Sequence, residues 1–94
     1  MTPITLTQAI NLIGDYLLIK TNERILFIAE TISDLDTLKA TFKGDHFRLI
    51  SGIFWDVEVD LVIAFIEDNL TKKELLNSKF KDNTQLLTIY KEYD

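Results

Sequence analysis

The sequence predicts a single compact α+β domain, an antiparallel or mixed sheet of four or five strands with two or three helices packed against it. Three observations carry that reading. Odd positions from Ile53 to Phe65 (Ile, Trp, Val, Val, Leu, Ile, Phe) are apolar without a break, while Asp56, Glu58 and Asp60 alternate with them. Period-2 alternation marks a strand with one buried face. Three stretches (Thr5 to Gln8, Ser33 to Asp36, Thr71 to Glu74) have helix-start spacing ahead of apolar residues, where a side-chain oxygen satisfies free amides of the first turn. Finally, 94 residues with 47% hydrophobic content fit one domain with a core and leave little room for a second.

Taken in order, Leu6, Ala9, Ile10 and Ile13 form an apolar stripe at helical spacing, and Gly14 reads as its stop. Residues 16–20 and 24–30 then read as a hairpin around Thr21-Asn22-Glu23, with 24–30 apolar on both faces and therefore central. A second helix starts at Ser33, buries Leu35, Leu38 and Phe42, and closes at Gly44-Asp45. His46 to Ile50 is a short strand, and Ser51-Gly52 turns it into the long apolar run; a turn at Trp55-Asp56 is the rival placement. The run's even face turns apolar at Val62, Ala64 and Ile66, so 61–66 is the second central strand. A third helix spans Thr71 to about Lys81, burying Leu75, Leu76 and Phe80, and Thr84 to Tyr93 is the last strand. The order is α-β-β-α-β-β-α-β. If 16–20 is helical instead, the remainder is β-α-β-β-α-β, a ferredoxin-like order.

Fifteen acidic against ten basic residues give a net charge of −5. That disfavours direct nucleic-acid binding, which rests on Lys and Arg neutralising phosphates, and attachment to anionic membranes. It suits a basic protein partner. With no cysteine, thiol chemistry and disulfides are excluded. The opening residues lack the basic and apolar regions of a signal peptide, and the longest uninterrupted apolar run, Leu61 to Ile66, is far too short to span a bilayer. A cytoplasmic location is expected.

No catalytic motif is present, and no cofactor or metal is expected. His46 is the sole histidine and has no recognisable nucleophile pattern around it; the three glycines are scattered, which removes the phosphate-binding fingerprints. Lys72, Lys73, Lys79 and Lys81 make the third helix basic, which a solvated face explains. The row Asp56, Glu58, Asp60 reads as a solvent-facing strand, and as the candidate face for a basic protein with Phe54 and Trp55 as aromatic anchors. Glu67 and Asp68, with Asp45 beside them, form a second acidic spot ahead of the third helix. The candidate binding residues are thus Phe54, Asp56, Glu58, Asp60, Glu67 and Asp68. The expected function is a non-enzymatic acidic protein-binding module, in its sharpest form a small inhibitor or immunity-type protein that blocks a basic, nucleic-acid-acting enzyme. The alternative is a small regulatory or assembly domain that homodimerises through its sheet, with or without a small ligand, using Val62, Ala64 and Ile66 if no helix covers them.

Overall fold

The structure is a computed structural model that describes residues 3–19, 23–51, 58–80 and 83–92, apart from the side chains of Ser78 and Lys79. Its elements are α1 (Leu6–Leu17), β1 (Ile25–Ala29), α2 (Ile32–Thr41), β2 (His46–Leu49), β3 (Leu61–Ile66), α3 (Leu70–Lys79) and β4 (Gln85–Tyr90). They form one compact domain of three helices and a four-stranded sheet, with the two doubly apolar strands, β1 and β3, in its middle as expected.

The sheet itself differs from the expectation. It is parallel throughout, in the order β2-β1-β3-β4, neither antiparallel nor mixed. After α1 the elements do follow β-α-β-β-α-β along the chain, but the sheet is not ferredoxin-like, because β2 lies beside β1 rather than making a hairpin with β3. The hairpin of 16–20 with 24–30 is absent as well. Tyr16 and Leu17 close α1, which runs straight through Gly14, where a Cβ would meet nothing. Gly52, Trp55 and Asp56, on which the two turn placements rested, lie outside the described residues.

Helices cover both faces of this sheet, for a reason of handedness. From β1 the chain crosses outward through α2 to β2; from β3 it crosses outward in the opposite direction through α3 to β4. Parallel crossovers are almost always right-handed, so opposite directions put α2 and α3 on opposite faces. Accordingly Ala9 and Ile13 of α1 and Leu38 of α2 pack with Phe27, Ile63, Phe65 and Ile89. Leu76 and Phe80, from α3 and its C-cap, pack with Leu26, Ile28, Val62, Ala64 and Ile66. The even face of β3 is therefore filled within the chain, and the premise for dimerising through Val62, Ala64 and Ile66 falls away. Each fully buried large side chain contributes roughly 1.5–3 kcal/mol; all six residues of β3 are buried.

Phe27 is the pivot of the first layer. Its ring stacks on Phe42 at 5.7 Å and on Phe47 at 5.1 Å, nearly parallel to both. Gly44 sits so close that a Cβ there would lie 2.7 Å from the Phe27 ring.

The helix starts follow the side-chain chemistry, in two cases shifted by two residues. Thr5 and Gln8 form the expected reciprocal box. At α2 the cap is Thr31, accepting from the Asp34 N–H at 3.1 Å, rather than Ser33. At α3 it is Asn69, accepting from Thr71 and Lys72, rather than Thr71.

Candidate functional site

In an open parallel sheet, ligands gather at the carboxyl ends of the strands, where the strand order reverses direction. Here that point lies between β1 and β3. Glu30 follows the end of β1, and Glu67 follows the end of β3. Because Asn69 caps α3, Lys72 stands in its first turn and reaches back over the strand ends. Its Nζ donates to Glu30 Oε2 at 2.5 Å and to Glu67 Oε2 at 3.0 Å. Burial works against the Lys72 ammonium, but the hydrogen bonds and charges of Glu30 and Glu67 outweigh it and hold its pKa above the ordinary lysine value.

Glu30 is the most enclosed member, its side chain 10% exposed. While Oε2 takes the lysine, Oε1 is sealed from solvent with no hydrogen-bond partner among the described residues. A buried acceptor left unpaired costs about 1–3 kcal/mol, so it is an unusual feature of a folded chain.

Two further pairs complete this end of the sheet. Asp68 holds Lys73 at 2.5 Å, and the Lys73 ammonium lies 4.9 Å from the Tyr90 ring centroid. Asp68 raises the Lys73 pKa through its hydrogen bond, against partial burial. On the opposite face, Lys91 donates to Asp34 Oδ2 at 2.9 Å, and the pair lines a hollow of about 350 Å³ together with Thr5, Thr7, Phe65 and Glu92. Ile32 and Leu70, the first residues of α2 and α3, project at this same end of the sheet, 65% and 71% exposed.

The sequence-predicted residues do not form one surface. Phe54 and Asp56 lie outside the described residues. Glu58 and Asp60 precede β3, in irregular chain rather than on a strand, because β3 starts only at Leu61. Glu67 and Asp68 follow β3. The six residues of β3 lie between Asp60 and Glu67, and the seven steps from one to the other span roughly 23 Å at about 3.3 Å per residue. Asp45 belongs with Asp60 at the amino end, not beside Glu67. Both amino-end carboxylates serve β1: Asp45 accepts the Ile25 N–H at 2.8 Å, and Asp60 accepts the Arg24 N–H at 2.9 Å. The Arg24 backbone bond is the largest influence on Asp60; it prevails over desolvation, with help from the Arg24 guanidinium, and lowers the Asp60 pKa.

Glu30, Asp34, Ile32 and Leu70 were missed by sequence reasoning. The first two look like ordinary solvated acids until β1 and β3 are paired side by side. Among the described residues, no group of three or more His, Asp or Glu side chains is placed to hold a metal ion, and no helix is long and apolar enough to cross a membrane. Comparison with protein-family models, curated proteins and solved structures finds no match to this chain.

Proposed function

We propose that the chain is a non-enzymatic, acidic protein-binding module whose binding end is the carboxyl end of its sheet, where Glu67 and Asp68 lie. The observation that carries this reading is the ion pairing at the switch between β1 and β3. Lys72, Lys73 and Lys91 are all held by carboxylates of the same end, and the exposed Glu92 adds a further negative charge. The exposed Ile32 and Leu70 stand beside this charge and supply the apolar contact that a stable interface needs. The partner that fits is a basic protein, steered by charge and anchored by the two aliphatic side chains. With a net charge of −5 on 94 residues, the sharper form is an inhibitor or immunity-type protein that covers the phosphate-binding groove of a nucleic-acid-acting enzyme.

Affinity capture from host lysate at low and high salt tests the proposal, with the wild-type chain run against a variant carrying Ile32→Ser, Glu67→Gln, Asp68→Asn and Leu70→Ser. The expected result is one dominant basic protein, retained by the wild type at low salt, weakened in high salt and lost by the variant. Equal capture by both chains would overturn the assignment of this end of the sheet.

A further inference from the structure

We propose that the outer edge of β4 pairs with the same edge of a second copy of this chain, joining two four-stranded sheets into one. This concerns a backbone edge, not the acidic end, and does not depend on the basic partner proposed above.

The hydrogen-bond phase of β4 identifies the groups involved. Gln85 donates its N–H to the Asp60 carbonyl at 3.0 Å, and Lys91 to the Ile66 carbonyl at 2.9 Å, so odd positions turn towards β3. In a parallel pair, the intervening residues turn their N–H and C=O the other way. Tyr90 confirms the phase: its carbonyl faces outward and accepts the Ile4 N–H at 2.8 Å, while Glu92 donates to the Ile4 carbonyl at 2.7 Å. One end of this edge thus already accepts an extended segment of chain. Farther along, Leu86 and Thr88 turn their amides and carbonyls outward, and no described residue bonds to them.

Edge strands are ordinarily protected by charge, proline, a bulge or shortness. The opposite edge, β2, is only four residues long and carries an exposed Arg48. By contrast, β4 is six residues (Gln-Leu-Leu-Thr-Ile-Tyr) with no charge and no proline. Nothing in its side chains opposes a like strand. A two-fold axis at Leu86 pairs that residue with its own copy and sets Thr88 opposite Thr84 of the second copy, in antiparallel register. This register uses the outward groups of Leu86 and Thr88, with Thr84 of the second copy opposite Thr88, and leaves the Ile4–Lys91 bridge intact. Because the same patch meets itself, the assembly closes at two copies.

Sedimentation velocity from micromolar to millimolar protein tests the proposal. The wild-type chain is expected to move from monomer to dimer as concentration rises. Thr88→Pro removes an outward N–H while sparing the ladder to β3, a placement an edge strand tolerates, and is expected to raise the dimer dissociation constant at least tenfold with an unchanged far-ultraviolet spectrum. Thr88→Lys, which introduces the missing charge, is expected to do the same and decides the matter if the proline variant does not fold. A wild-type monomer throughout, or a dimer that survives both folded variants unchanged, would overturn the proposal.

Discussion

Lys72 Nζ lies 2.5 Å from Glu30 Oε2, and this contact ties the first turn of α3 to the end of β1 across the point where the sheet changes direction. Glu67, 3.0 Å away on the other side, makes the lysine a bridge between the two central strands. Lys72→Met leaves two neighbouring carboxylates without their counter-charge. We expect a loss of about 2–3 kcal/mol, moderated by partial solvent access, measured by urea unfolding. Double replacement by Lys72→Met and Glu30→Gln should recover part of that loss, since the enclosed charge is then gone.

The same lysine has a pH signature. Its pKa is raised on folding, so its contribution is complete below the ordinary lysine value and fades as pH climbs through the folded value. Stability measured across the alkaline range should fall more steeply for the wild type than for Lys72→Met.

Asp60 has the opposite sign. Its folded pKa is depressed by the Arg24 N–H, so its contribution is present above the ordinary carboxylate value and is lost as pH falls through the lowered folded one. Asp60→Asn should therefore flatten the acid limb of the stability profile in denaturant titrations run at successive pH values.

Gly44 and Phe27 are a matched pair. Gly44→Ala forces a methyl group against the Phe27 ring and disturbs its stacking on Phe42 and Phe47. A loss of about 1–3 kcal/mol is expected in thermal or urea unfolding. Gly14→Ala, on the helix interior with open space around it, should instead stabilise by about 0.5–1 kcal/mol.

Ile32→Ser and Leu70→Ser probe the proposed binding end without touching the core. Both side chains are exposed, so stability should change by no more than about 0.5 kcal/mol each. Val62→Asp makes the contrast: it buries a charge between the sheet and α3 and should unfold the chain at every protein concentration.

Much of the fold was legible in the side chains, and the reason for the error in sheet direction is instructive. The apolar runs Ile25–Ala29 and Leu61–Ile66 announced two central strands, and both are buried on every residue. Two such runs are themselves the mark of a parallel sheet with helices on both faces. Ser51-Gly52, by contrast, reads as a hairpin turn and points to an antiparallel neighbour. Strand pairing is set by crossovers many residues long, and local turn residues do not report it. Gly14 misleads in the same way: an isolated glycine costs a helix less than α1 gains by packing Tyr16 and Leu17 against the core, so the helix continues to Leu17.

The acidic residues were legible as acids but not as a surface. Asp56, Glu58 and Asp60 alternate with apolar neighbours, yet the described strand begins only at Leu61, and Asp60 is drawn into the start of β1 by Arg24. Glu30 and Glu67 stand 37 positions apart in sequence and meet at one lysine only because β1 and β3 are neighbours. No spacing along the chain foretells that.

The most direct test of the binding end is amide hydrogen exchange on the complex with the captured basic protein, compared with the chain alone. The account predicts slowed exchange at residues 30–34, 67–73 and 91–92, around Glu30, Lys72 and Lys91, with the amino end near Arg24, Asp45 and Asp60 unchanged. Protection confined to the amino end would contradict it.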